Sequence, residues 1–211
     1  MRPNAGTKGV PRADREEQIV LAASEIFGSL GFAATSMAAV AEAAGISKPL
    51  IYNYFGSKEG LFTACLRGAG ETLAAELERV AAGDAVGLER ALLTLDGLFV
   101  LLEPRPWLWR LFFDPTVPRS EEGIAAELRS YTGRITRLAE EGVGELMSLA
   151  GNADPLDVSA MTAVWLSIVD ALVTWWLDHP GETPTEMSAR CVRLFTAALA
   201  SDLPGLPEGH Y

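Results

Sequence analysis

Residues 31–60 read GFAATSMAAV AEAAGISKPL IYNYFGSKEG. Gly31 closes a preceding helical stretch, and Thr35 and Ser36 are residues of the N-cap type. Met37, Val40, Ala41 and Ala44 then recur at helical spacing until Gly45. Ser47 opens another short helix with Pro49 in its first turn, where the missing N–H costs nothing. That helix reads to about Phe55, and Gly56 and Ser57 restart the chain into a fourth helix through Leu61, Phe62 and Leu66. Two helices of about eight residues joined by Ala44-Gly45-Ile46-Ser47 have helix–turn–helix spacing.

Working outward, the same periodicity covers nearly the whole chain. Ile19, Ala23, Ile26, Phe27 and Leu30 form a first helix upstream. Downstream, Leu88 to Leu102 carry one apolar stripe, broken at Pro104 and Pro106, and a short aromatic helix follows. Ile124 to Leu138 carry a second stripe, expected to loosen at Gly142 and Gly144. Val158, Met161, Trp165, Ile168, Leu172 and Trp175 step by three and four. Thr183, Pro184 and Glu186 make a capping box before a last helix. No strand-like alternation and no internal repeat appears. The reading is all-α, about nine helices, with a three-helix helix–turn–helix domain at the N-terminal side.

The outward face of the third helix carries the chemistry. Ile51 and Phe55 are four apart and turn inward, which leaves Lys48, Pro49, Tyr52 and Asn53 outside. An exposed Lys, Tyr and Asn offer donors to base edges and phosphates. Helix starts at Thr35, Ser47 and Ser57 add backbone N–H groups suited to phosphate oxygens, and Lys58 stands beside the last of them.

From Gly31-Phe32 through Thr35-Ser36, Ala44-Gly45-Ile46-Ser47, Ile51-Tyr52-Asn53-Tyr54-Phe55 and Ser57-Lys58-Glu59-Gly60-Leu61, the chain resembles the DNA-binding domain of the TetR/AcrR family of transcriptional regulators. The resemblance covers about residues 14–66. It implies that Thr35 and Ser36 touch phosphate and that Ser47, Lys48, Pro49, Leu50 and Asn53 lie in or at the groove. It also implies backbone-phosphate contacts from Tyr52, Tyr54 and Lys58. Tyr54 fits the core as well, Pro49 fits a role in helix initiation alone, and Leu50 departs from the polar or small residue common there. The resemblance further implies a helical effector-binding and dimerisation domain, with the last two helices pairing across a two-fold axis.

The expected organisation is a basic arm over 1–12, the DNA-binding domain over 13–67, the effector and dimer domain over 68–203, and a disordered tail over 204–211. All five tryptophans lie after residue 100. Phe99, Trp107, Phe112, Phe113, Tyr131 and Trp165 are candidates to line an apolar small-molecule pocket, although ordinary core and interface packing is the better account of any single one of them.

Composition bounds the alternatives. Net charge is −11, which read whole argues against a nucleic-acid partner. The charge is unevenly placed: residues 1–67 hold seven Lys/Arg and six Asp/Glu, and residues 68–211 hold ten and twenty-two. Cys65 and Cys191 form no paired motif, and two histidines cannot build a metal cluster, so no metal, cofactor or disulfide is expected. No apolar run follows Arg2, Lys8, Arg12 and Arg15, which predicts no secretory signal and a cytoplasmic protein. Ala160 to Leu177 is borderline for a membrane span, but Asp170 in its middle favours a buried bundle helix and no membrane partner. An all-α enzyme using Glu140, Glu141 or Glu145 has no converging His, Cys or Ser, so no catalytic residue is expected. Two regulator-class readings remain. One is a repressor that binds a palindromic double-stranded operator as a homodimer and is released by an apolar or amphipathic effector. The other is a structural DNA binder without a ligand.

Overall fold

The computed structural model describes residues 11–199. The expected arm lies almost wholly, and the expected tail entirely, outside the described residues. Nine helices and no strand occur among them: α1 (Arg12–Leu30), α2 (Met37–Ala43), α3 (Lys48–Phe55), α4 (Lys58–Ala81), α5 (Gly87–Leu102), α6 (Trp107–Phe113), α7 (Glu122–Leu149), α8 (Pro155–Leu177) and α9 (Pro184–Leu199). The all-α reading holds. The helices gather into two compact units whose border follows packing rather than chain order. The first takes the described chain to Glu78 together with Pro104–Leu138, and the second takes Arg79–Glu103 and the chain from Ala139 onward. Both α4 and α7 therefore contribute to each unit.

The first unit is built on α1. Ile19, Ala23 and Phe27 are buried along one face, four residues apart. Phe27 stacks on Phe32 with ring centroids 5.9 Å apart, and Phe62 of α4 meets both rings edge-on at 5.0 and 5.1 Å. Val40 from α2 and Ile51 from α3 complete this core with no exposure. Along its other side α1 receives α6 at Gly28, where an added Cβ would lie 2.8 Å from Trp107 Cα. Only glycine permits that approach. Farther out, Phe112 of α6 stacks on Tyr131 of α7 at 4.1 Å. Arg134 reaches from α7 to Glu78 at 2.6 Å and Glu71 at 2.9 Å on α4.

In the second unit α5 packs against α8 and α9. Leu95, Leu98, Phe99 and Leu102 are buried with Val173, Trp176, Met187 and Cys191. Asp154 caps α8 by accepting from Leu156 N–H at 2.8 Å, and Pro155 occupies the first turn. The capping box at α9 forms as read. Thr183 N–H donates to Glu186 Oε2 at 2.9 Å, and Glu186 N–H donates to Thr183 Oγ1 at 3.3 Å.

Two expectations are corrected. The helix through Gly142 and Gly144 does not loosen; α7 runs unbroken for 28 residues. A helical glycine costs about 1 kcal/mol, which the surrounding Leu, Glu and Met residues offset, and Arg90 of α5 clamps Glu145 at 2.7 Å over this stretch. Nor is α8 a buried bundle helix within its unit. Thr162, Val169, Val173 and Trp176 are buried, but Leu156 is 80% and Val164 50% exposed. By length and hydropathy α8 passes as a membrane span; it buries one stripe, against α5, sets Trp165 near Phe195 of α9, and leaves Leu156, Met161, Val164 and Trp175 exposed.

Candidate nucleic-acid interface

The helix–turn–helix is assembled from local signals. Ser36 caps α2, its hydroxyl accepting from Ala39 N–H at 3.1 Å. Met37, Val40 and Ala41 face inward. The turn closes as Ala44 N–H donates to Val40 O at 2.9 Å and Ile46 N–H to Ala41 O at 3.0 Å. Gly45 sits there at φ +65°, a left-handed conformation that side chains disfavour. Ser47 holds the cap position of α3, and its carbonyl accepts from Leu50 N–H at 3.0 Å. Its hydroxyl makes no cap bond.

This frame presents the predicted face. Ile51 is completely buried, while Ser47, Lys48, Pro49, Tyr52 and Asn53 are exposed. Lys48 Nζ lies 5.9 Å from the centroid of the Tyr52 ring, within cation–π range. Leu50 and Tyr54 are half-buried. Tyr54 carries the Arg12 guanidinium over its ring at 5.0 Å. Arg12 thus joins this surface from α1, a placement invisible in the sequence because 42 residues separate it from Tyr54. Lys58 Nζ donates to Ala33 O at 3.4 Å and stands 4.4 Å over the Phe32 ring.

Thr35 is a correction. It is 3% exposed, and its hydroxyl donates to Gly31 O at 2.8 Å. The side chain locks the turn and presents nothing to a phosphate.

The aromatic candidates fall in both units. Phe112 and Tyr131 stack together in the first unit. Burial pushes the Tyr131 hydroxyl above its usual pKa. Trp107 is half-buried, with its Cα and Cβ against Gly28, and Phe113 is 49% exposed, stacked on Trp109 at 5.0 Å. In the second unit Phe99 packs on Trp176 at 5.2 Å and Trp165 on Phe195 at 6.4 Å. Trp109 was not singled out. It is buried, and its Nε1–H has no acceptor among the described residues. A buried unpaired donor costs about 1–3 kcal/mol. Nothing in the sequence separates Trp109 from the four other tryptophans.

Comparison with known proteins places the site in context. Residues 19–65 match the family described as bacterial regulatory proteins, tetR family. The HTH-type transcriptional activator FasR of Mycolicibacterium smegmatis is 29% identical over 181 residues, 84% of this chain and 80% of that protein. The nucleoid occlusion factor SlmA of Vibrio atlanticus is 23% identical over 77% of this chain and 83% of its own. Among solved structures, the regulator FadR of Bacillus subtilis in complex with stearoyl-CoA superposes with a TM-score of 0.71. It is 18% identical over 87% of this chain and 97% of its own, a likeness of fold. The matched segment contains all of α2 and α3 with the exposed face just described, so residues 19–65 carry the helix–turn–helix domain of the bacterial regulatory proteins, tetR family.

Proposed function

We propose that the protein is a cytoplasmic, ligand-responsive repressor that binds a palindromic operator as a homodimer. The observation that carries this is the α3 face: Lys48, Pro49, Tyr52 and Asn53 exposed on a helix whose Ile51 is wholly buried. Residues 13–67 act as the reader, and residues 68–203 supply effector binding and dimerisation. Two readers related by a two-fold axis engage half-sites ~34–36 Å apart or a multiple of that. The dimer forms through α8 and α9, where Leu156, Val164, Trp175, Val192 and Leu194 are 40–80% exposed on one protomer.

The effector is apolar or amphipathic. The stacked Phe112 and Tyr131 offer it ring surface, and the unpaired Trp109 Nε1–H offers a donor to a carbonyl or similar acceptor. A long-chain acyl thioester has an apolar chain for the first and a carbonyl acceptor for the second, and the FadR structure carries one. Binding shifts α4 and moves the two readers out of register. Release needs a coupling of roughly 1–3 kcal/mol between the two sites. The sign of regulation follows from where the operator lies relative to its promoter, and FasR is described as an activator. A dimer seated across a promoter excludes polymerase, which favours repression.

The test is selection of duplexes from a randomised pool by the full-length protein, followed by titration of the winner with stearoyl-CoA, coenzyme A and stearate. A palindromic consensus bound by a dimer is expected, with affinity lowered by stearoyl-CoA and transcription reduced from a promoter overlapping the site. Failure to enrich any duplex overturns the reader assignment. An enriched duplex insensitive to all three probes removes the acyl thioester from the proposal and favours a structural DNA binder.

A further inference from the structure

The turn between α1 and α2 is tied to a segment more than eighty residues away. Phe32 N–H donates to Asp114 Oδ2, and Ala33 N–H donates to Thr116 Oγ1 at 3.0 Å. The Thr116 hydroxyl donates in turn to Asp114 Oδ1 at 2.7 Å, and Thr116 N–H donates to the same oxygen at 2.8 Å. Arg119 closes the segment from behind by donating to Phe112 O at 2.9 Å. Burial by itself would raise the Asp114 carboxyl. The bonds from the Phe32 and Thr116 amides and the Thr116 hydroxyl, with Arg119 nearby, outweigh burial and hold it below the ordinary carboxylate range.

These partners satisfy donors that neither helix can serve. Phe32 and Ala33 lie past the end of α1 and before the cap of α2, so no helical carbonyl is available to their N–H groups. The clasp also fixes α6 to α1 at a second point. Gly28 meets Trp107 where α6 begins, and Gly31 lies where an added Cβ would be 3.3 Å from Asp114 Oδ2, just after α6 ends. On its other side the same turn holds a cation: the Ala33 carbonyl accepts from Lys58 Nζ at 3.4 Å, and the Phe32 ring lies 4.4 Å beneath that ammonium.

We infer that Asp114 and Thr116 are positioning residues of the DNA interface, holding the Phe32–Ala33 turn so that Lys58 is set for a backbone phosphate. The inference rests on the proposed reader function and on the backbone-phosphate contact that the family resemblance implies for Lys58. The Lys58 ammonium has three donors, so the Ala33 carbonyl can keep one while phosphate takes another.

The full chain tests this with a duplex that the wild-type protein selects from a random pool. Thr116→Val removes the acceptor for Ala33 N–H at constant shape, and Asp114→Asn is the second variant should the first fail to fold. Each is expected to weaken binding of the duplex about tenfold and to reduce the slope of log affinity against log salt by about two, the signature of one lost phosphate contact per protomer of the dimer. Helical circular dichroism and the dimer stay unchanged, and amide hydrogen exchange speeds up at Phe32 and Ala33. Lys58→Met has little further effect in the Thr116→Val background, whereas in the wild type it lowers affinity and slope alike. Faster exchange at Phe32 and Ala33 with unchanged affinity and slope would overturn the inference. So would full additivity of the two substitutions. A wild type that selects no duplex condemns the functional reading instead, and the exchange data still report whether the clasp exists.

Discussion

Lys48 is the first residue of α3, exposed, and makes no ion pair among the described residues. Its ammonium rests near the Tyr52 ring, so the cation is held over the outer face rather than left to sweep through solvent. Lys48→Ala should therefore weaken operator binding by about 1–2 kcal/mol, roughly five- to thirtyfold, with the helical spectrum and dimer intact. Gel-shift or anisotropy titration at physiological salt checks this, and unchanged affinity would remove Lys48 from the reading head. The orientation of Lys48, Pro49, Tyr52 and Asn53 was legible because a fixed helical period and one inward Ile51 determine it. The role of Thr35 was not. Adjacent Thr and Ser are both cap-type residues, and only the path of the chain decides that Ser36 caps α2 while Thr35 turns back to Gly31 O. The clasp at Asp114 was equally hidden, since two residues in a Pro-rich connection carry no pattern that points to Phe32 and Ala33.

α8 shows where reading an element from periodicity stops. Its apolar residues predict a helix correctly, but a helix apolar on most sides needs several partners, and the sequence does not say whether they come from the same protomer. Within its unit the stripe through Thr162, Val169, Val173 and Trp176 is buried, whereas Leu156, Met161, Val164 and Trp175 stay exposed. Ala163, Val164, Ser167, Ile168 and Ala171 line an open groove of about 420 Å³ on another face. Val164 lies in that groove at 50% exposure, so a charge there leaves the protomer core untouched. Val164→Asp should dissociate the dimer, because two carboxylates would meet near a symmetry axis in an apolar contact. Sedimentation should shift from dimer to monomer mass, thermal stability should fall with the lost association, and operator affinity should drop at least tenfold. A dimer that persists with undiminished affinity would place the interface elsewhere. α7 failed in the opposite direction: Gly142 and Gly144 looked like a break, yet packing from Arg90 and neighbouring helix formers carries the helix through.

For the whole molecule the decisive quantity is how charge is apportioned. A net charge of −11 opposes a polyanion, and a reader with seven Lys/Arg against six Asp/Glu over residues 1–67 does not reverse that by bulk charge. In the proposed reading the attraction is local, at Lys48 and Lys58 on α3 and α4 and at Arg12 over Tyr54. Counterion release counts the phosphates these cations neutralise, whatever the distant charge. If Lys48 and Lys58 each engage one phosphate per protomer, a dimer neutralises about four, and the slope of log affinity against log salt is about −4. Arg12 in the same role steepens it to about −5. Random duplex meets the same cations without base contacts and with the acidic remainder opposing, so its dissociation constant belongs at the weak end of the usual range, about 10⁻⁴ M. Titration of the selected duplex and a scrambled one between about 50 and 300 mM salt checks both numbers. A flat response would mean that phosphate contacts do not dominate the interface. A scrambled duplex bound nearly as tightly as the selected one would mean that the exposed face of α3 reads no sequence.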